Sequence, residues 1–338
     1  ALIANMVAPL LWLGVWSYIQ KKPDDKKTIA LLATVVVLVE LCFNGWFCVY
    51  EPTTKLQKEY ECYKEGIVSA IEELHQDDGF YRAYYNADYI TNSDAWFDYN
   101  GLSDFCSAEN YEVRSVLRKL GLYTTPRRVE FYGITPPTEM LLNVKYFMQG
   151  PYPYAEYGGE NIYYIENNPY YLEIGFMSDD EILDYNGNSL VSFENINELM
   201  SALCGEEISC FTPLDETVLI ECEQAEIQMN PGQIIIKYDS DAYEYGMVTY
   251  YIPKEAVDKT VYIQFVSDIS IAEPTSPYLA GGMENVVTQM GLLSVPYIRQ
   301  LYENEGNYEV SVVMNETTAD TWEYKDVAVY EYNEDALK

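Results

Sequence analysis

The chain has 338 residues, 49% hydrophobic and 15% aromatic, which suggests about two domains with real cores and excludes a disordered chain. The first 50 residues hold four lysines and three acids, so the remaining 288 hold 16 basic against 51 acidic side chains, a net of −35. A surface that acidic repels nucleic acid and anionic headgroups, which excludes nucleic-acid binding as a main function.

Residues 2–20 form an uncharged apolar run, with Pro9 tolerable in a membrane helix and Trp12, Trp16 and Tyr18 toward its end, as in an interfacial aromatic belt. Residues 28–50 carry a single charge, Glu40. At ~1.5 Å per residue such a helix spans a ~30 Å hydrocarbon core. The connector 21–27 holds four lysines, and the positive-inside rule places it in the cytoplasm. Two transmembrane helices are therefore expected, with residues 51–338 extracytoplasmic in a multi-pass protein of the cell membrane. The chain begins inside an apolar stretch without Met or a cleavable signal, which reads as a fragment of a longer membrane protein.

Residues 51–212 read as an α+β extracytoplasmic domain. Pro52 opens an amphipathic helix to about His75, with Leu56, Tyr60, Tyr63, Ile67, Ile71 and Leu74 on a 3.6-residue period. Residues 92–105 read as polar, aromatic loop. Strands are expected at 80–86, 143–149, 161–166 and 171–177. Ser107 is expected to cap a helix through Leu120, and Ser192 to start a second one that ends before Gly205. From Thr217 short alternating runs at 217–228, 233–239, 246–252, 260–267, 308–314 and 327–333 are divided by Pro and Gly. That spacing without helices predicts an antiparallel β-sandwich, jelly-roll-like, over residues 213–338.

Five segments in order carry a resemblance to a known family: ELCFN (40–44), FYRAYYN (80–86), LSDFCSAENYEVRSVLRKLG (102–121), LLNVKYFM (141–148) and YIENNPYYLEIGFM (164–177). Over roughly residues 35–180 they resemble YfhO-type bacterial membrane proteins. The resemblance implies a polytopic protein related to the GT-C glycosyltransferases, which use a polyprenyl-phosphate sugar donor at the outer membrane face and modify cell-wall polymers such as teichoic acids. The catalytic acid of that superfamily lies in an early extracytoplasmic loop, which this chain is expected to lack. Two local departures from the family pattern are Cys106-Ser107, where a Ser pair is usual, and Leu172-Glu173, where Leu-Pro is frequent. The expected function is thus the extracytoplasmic part of a membrane glycosyltransferase. The alternative is a membrane-anchored, non-catalytic carbohydrate-binding or envelope scaffold protein. The partners implied are the bilayer, a lipid-linked sugar and a cell-wall polymer.

Glu40 stands inside an apolar span with Asn44 one turn later on the same face. A carboxylate in hydrocarbon costs ~2.5–3.5 kcal/mol on insertion scales, so it faces a bundle interior or polar cavity, either beside the lipid-phosphate donor or in a hydrogen bond between helices. Arg82, Asn86 and Lys145, in the family-like segments, are candidates for phosphate binding or for pairing with carboxylates. Asn167-Asn168-Pro169 reads as turn chemistry. Seven cysteines include Cys204 and Cys210, the disulfide candidate. With one His and no Cys-x-x-Cys pair, no zinc site is expected. The acidity leaves a divalent cation open as cofactor. Asp184, Asn186 and Asn188 begin like a calcium loop but lack its Gly and final Glu, which favours a plain Asn-Gly turn, and Asp239, Asp241 and Glu244 are a second weak candidate. The 34 tyrosines, 32 of them beyond residue 50, suit strand surfaces and leave stacking on sugar rings open.

Overall fold

The structure, a computed structural model, describes residues 2–53, 57–85, 92–106, 110–125, 128–129, 133–149, 164–214, 218–239, 241, 245–253, 259–267, 278–280, 298–304, 307–315 and 320–338. The chain divides into two units, Ala1–Ser69 with Pro151–Ile162, and Ala70–Gly150 with Tyr163–Lys338.

In the first unit, helix α1 (Leu2–Lys21) and helix α2 (Lys26–Thr53) stand where the two spans are expected. Asp25 turns the hairpin. Its carboxylate accepts the Tyr18 hydroxyl at 3.0 Å and the Thr28 N–H at 3.3 Å, as an N-cap residue does. Among the described residues no helix is long and apolar enough to cross a membrane. The helices of the expected hairpin are present; the two expected crossings are not shown. Helix α2 takes in Lys26, Lys27 and Glu51 beyond the apolar stretch, because capping and backbone hydrogen bonding set a helix boundary and hydropathy does not. Helix α3 (Gln57–Leu74) follows the amphipathic period but starts later than Pro52, which lies in α2.

In the second unit the chain lays down β1 (Arg82–Tyr85), helix α4 (Ser93–Phe97), β2 (Asp104–Phe105), helix α5 (Tyr111–Lys119), β3 (Thr124–Thr125), β4 (Arg128–Val129) and helix α6 (Pro136–Leu141). β5 (Val144–Gln149) then runs parallel to β1 and antiparallel to β6 (Tyr164–Asn167). Helix α5 begins later than expected: the Asn110 carboxamide oxygen accepts the Glu112 and Val113 N–H groups at 2.8 and 3.4 Å, while Ser107 lies outside the described residues. The expected strand at 171–177 is irregular backbone, and it leaves Ile174, Phe176 and Met177 exposed. Helix α7 (Ser192–Cys204) buries Phe193, Ile196 and Met200 and ends at Gly205, whose φ of 69° is the left-handed cap that glycine adopts without strain.

The rest is antiparallel sheet. Its strands are β7 (Phe211–Pro213), β8 (Leu219–Glu223), β9 (Ala225–Asn230), β10 (Gln233–Tyr238), β11 (Tyr245–Pro253), β12 (Val261–Val266), β13 (Tyr278–Ala280), β14 (Ile298–Gln300), β15 (Tyr302–Asn304), β16 (Asn307–Asn315), β17 (Thr321–Tyr324) and β18 (Asp326–Tyr332). They pair in the orders β13-β16-β11-β8, with β15 also on β16, then β14-β12-β18-β7 and β17-β10-β9. Ile236, Tyr250, Ile263, Val312 and Trp322 stand for the core these sheets enclose, in which the Tyr250 and Tyr324 hydroxyls bond each other.

β12 is buried at all six positions. Val261, Ile263 and Phe265 face that core, and Tyr262 faces the other way into a second one with Phe193, Ile196, Phe211 and Tyr330. Phe193 of α7 stacks on Tyr330 with centroids 4.4 Å apart, so helix and sheet share this layer. The position 212, where the α+β segment was expected to end, falls inside β7 on β18. Gln264, fully buried in β12, caps the helix from the sheet: its carboxamide oxygen accepts the Ser192 N–H at 2.8 Å, and its Nε2 donates to the Leu190 carbonyl at 3.2 Å.

Replacing Gln264 by Met keeps the volume and strands the Ser192 N–H, so chemical denaturation should show a loss of about 1–3 kcal/mol, against less than about 0.5 for Met at exposed Gln228.

Candidate functional site

β1 and β5 bring the expected cations Arg82 and Lys145 onto one small sheet. Lys145 is paired with the Asp77 carboxylate, which also accepts the Tyr146 hydroxyl at 2.8 Å and the Gly79 N–H at 2.9 Å. Three rings surround the ammonium, those of Tyr171, Tyr146 and Tyr81, at 5.2, 5.3 and 5.9 Å to their centroids. The hydrogen bonds from Lys145, Gly79 and Tyr146 hold the Asp77 carboxyl down to about 2. Arg82 donates to the Leu142 carbonyl at 2.8 Å and lies 5.5 Å from the Phe80 ring centroid; burial lowers its pKa. Both candidate cations are thus engaged within the fold, Lys145 by a carboxylate and Arg82 by backbone. Asn86 lies outside the described residues.

Glu40 takes the interhelical arrangement. The Trp12 indole of α1 donates to its carboxylate at 3.0 Å across the hairpin. The Asn44 side chain lies outside the described residues.

The second unit also holds a cavity of about 710 Å³, within the size range of small-molecule sites. Tyr170, Lys259, Thr260 and Tyr308 contribute to its wall, with Gln300 and Leu301 at the β14 end. Tyr332, Asn333, Glu334 and Asp335 complete it where β18 runs into the closing turn Glu334–Leu337. Asn168 places Tyr170: its side-chain oxygen accepts the Tyr170 N–H at 3.0 Å, and its Nδ2 donates to the Val144 carbonyl at 2.9 Å. The Tyr170 hydroxyl then donates to Glu334 at 2.6 Å. Tyr332 is held between Phe211 and Tyr262, with centroids at 5.5 and 6.2 Å, and its buried hydroxyl has no hydrogen-bond partner. Burial, aided by the fields of Tyr170, Cys210, Glu334 and Glu139, pushes its pKa up, so the phenol keeps its proton and remains a donor. Glu139 on α6 is itself pushed up to about 7 by burial.

These wall residues escape a reading by motif, because Tyr170, Lys259, Gln300 and Tyr332 are scattered through the chain and share no spacing. One local signal exists. Asn-Pro followed by two tyrosines is an Asx turn that aims its next aromatic residue.

The profile of the family described as bacterial membrane protein YfhO matches residues 1–332. The chain belongs to the YfhO family. That match extends the resemblance at 35–180 across both units and makes this a chain of a bacterial membrane protein family. No curated protein matches it. Among solved structures, a low-affinity xylan-binding module, CBM86, from the gut symbiont Roseburia intestinalis is similar at 15% identity, with a TM-score of 0.26 over 37% of this chain and 96% of that one. A structure described as PfGH50B is similar at 8% identity, with a TM-score of 0.24 over 35% of this chain and 24% of that one. Overlap that slight carries no functional argument.

Other candidate residues of this YfhO-family chain resolve as local structure. Cys204 and Cys210 are free thiols, so the expected disulfide is not formed. The Ser201 hydroxyl closes that loop instead, accepting the Ile208 N–H at 2.8 Å and donating to the Ile208 carbonyl at 3.1 Å. Burial pushes the Cys210 thiol up to about 11. At Asn186-Gly187 the chain turns, with Gly187 at φ 53° and the Asn186 N–H on Glu198 at 3.2 Å. The Asp239 carboxylate accepts the Asp241 N–H at 3.1 Å, and Glu244 lies outside the described residues. Among the described residues no group of three or more His, Cys, Asp or Glu side chains is placed to hold a metal ion.

Two carboxyls give opposite pH dependences. Asp77, held near 2 in the fold, contributes stability that is present above its ordinary value of 3.8 and lost as pH falls through about 2. Thermal melts between pH 5 and 2 should therefore decline less steeply for Asp77→Asn. Glu139, raised from 4.5 to about 7, binds its proton more tightly in the fold, so its contribution fades as pH rises between those values. Glu139→Gln should remove that decline and add on the order of 2 kcal/mol at pH 8 by chemical denaturation.

Proposed function

We propose that this chain is the extracytoplasmic part, with its helical anchor, of a YfhO-like integral membrane glycosyltransferase. The enzyme would transfer a sugar from a polyprenyl-phosphate donor to a cell-envelope polymer of teichoic acid type. The observation that carries the reading is the family match over residues 1–332. The hairpin supports membrane residence: Leu13, Trp16, Leu31, Leu38 and Leu41 are all more than half exposed, an apolar exterior suited to lipid or further membrane helices. In this reading the apolar hairpin seats the chain at the membrane, and the large second unit works on the acceptor side.

A second reading, an anchored carbohydrate-binding protein without catalysis, is favoured by the Tyr-lined cavity. In it Glu334 is already engaged by Tyr170, an arrangement suited to holding a ligand.

The test is mass analysis of wall polymers from cells with and without the full-length protein. The transferase reading predicts loss of a sugar modification in the null strain and its return with wild type. Glu40→Gln keeps an acceptor for the Trp12 indole and removes the charge. Full rescue by it assigns Glu40 to helix pairing, whereas failure with normal membrane insertion assigns its charge to the transfer site. Unchanged polymers in the null strain would sink the transferase and leave the binding protein.

A further inference from the structure

Basic charge is sparse beyond residue 50 and unevenly spread. Of the 16 basic side chains there, five fall within residues 113–129, a stretch without an acid in a chain that carries 54 of them. Three of the five, Arg114, Arg118 and Lys119, lie on α5, against one acid, Glu112, in its first turn. Lys119 donates to the Asn186 carbonyl at 3.3 Å, and the Arg114 guanidinium lies 5.4 Å from the Tyr111 ring centroid. Arg127 lies outside the described residues. Arg114 and Arg118 stand one turn apart on the same flank of the helix.

The same helix carries an apolar stripe that the protein covers only in part. Val113, Val116, Leu117 and Leu120 recur at i, i+3, i+4 and i+7, one face of a helix. Leu117 and Leu120 are buried in the core that holds Ile196 of α7, whereas Val113 and Val116 are 54% and 48% exposed. Tyr111 at the start of α5 is exposed, and so is Phe105, opposite Arg128 on the β2–β4 pair. Open valines beside arginines are the composition of a helix that lies in a bilayer interface. The apolar side chains enter the acyl boundary, and guanidinium groups on flexible stems reach phosphate. A soluble polyanion would engage the arginines and leave the valines in water.

We propose that α5 docks the second unit on an anionic lipid surface, with Val113 and Val116 entering the headgroup boundary while Arg114 and Arg118 meet lipid phosphates. The proposal goes beyond the transferase reading and shares with it only residence at a membrane. Charge sets the orientation. Screening confines each contact to about 8–10 Å, so acids elsewhere on the unit repel headgroups only where they face them, and the face carrying α5 is attracted. A chain of a bacterial membrane protein family meets that surface at high effective concentration, so a contact of few side chains suffices.

The test uses the full chain reconstituted in lipid nanodiscs, of phosphatidylcholine alone or mixed equally with phosphatidylglycerol, and follows amide hydrogen exchange by mass spectrometry. Peptides of α5 should exchange about tenfold more slowly in the anionic discs, while those of β9 exchange alike in both. Arg114→Gln with Arg118→Gln should remove the difference. Val113→Ser with Val116→Ser takes away apolar surface at nearly unchanged helix propensity and should reduce the difference about threefold. Comparing the two lipids within each variant cancels any change in the helix's own stability. Equal α5 exchange in the two lipids, as a contact between two copies of the chain would give, would overturn the docking. So would a lipid difference that the arginine variant keeps. Soluble polyglycerol phosphate that slows α5 as much in neutral discs, or a valine variant with the full difference, would assign the helix to a polyanion and overturn the lipid surface. Failure of the other readings is distinct. A chain that enters discs of neither lipid removes membrane residence and the docking with it, whereas a slowed α5 with an unaltered wall in the null strain removes the transferase alone.

Discussion

The second unit depends on one strand having no solvent face. β12 gives alternate residues to two cores, Val261, Ile263 and Phe265 to the sheets on one side and Tyr262 to the helical layer on the other. A strand in that position pays for any polar residue unless it finds a partner, and Gln264 finds three groups at the start of α7. The hydrogen bonds fix where the helix begins, and the stacking of Phe193 on Tyr330 fixes the face it presents. Helix and sheets are consequently one body, and residues on either can build a common site.

The cavity follows from that arrangement. β18 pairs with β12 along its length, and the Tyr332 N–H bonds the Thr260 carbonyl at 2.8 Å where the two strands end. Beyond that point the chain leaves the sheet through Asn333, whose N–H is taken by the Cys210 carbonyl at 2.8 Å. The strand ends, the closing turn and the Asx turn at Asn168 together leave a space that side chains do not fill. The Lys145 cluster, by contrast, is a closed set: Asp77 and three tyrosines satisfy the ammonium, and the group reads as a clasp between the end of α3 and the β1–β5 pair.

Elements governed by local rules were legible in the sequence. The apolar period of Ser192–Cys204 and the glycine after it located α7, and alternation located β10, β11, β12, β16 and β18 within a residue or two. β7 and β17 were not legible, since three- and four-residue strands carry too little alternation to stand apart from loop. The cap of α5 went to Asn110 over Ser107 because several good cap residues crowd one stretch, and periodicity does not choose among them. Arg82 and Lys145 come from separate segments that the β1–β5 pairing brings together, and their partners, a backbone carbonyl and a carboxylate 68 residues away, are set by tertiary contact. The Cys204 and Cys210 pairing failed for a related reason, as short spacing says nothing about what else closes the loop. The lone Gln in the apolar run VYIQFV was a legible sign of a buried hydrogen bond, though its partner was not.

The central claim is that Gln264, buried in β12, ties the start of α7 to the sheets. Amide hydrogen exchange across α7 in the wild type and in Gln264→Met tests it most directly. The account predicts that the Ser192 N–H and the first turn of α7 exchange about tenfold faster in the variant, while β12 keeps its protection. Unchanged protection at the start of α7 in the variant would contradict it.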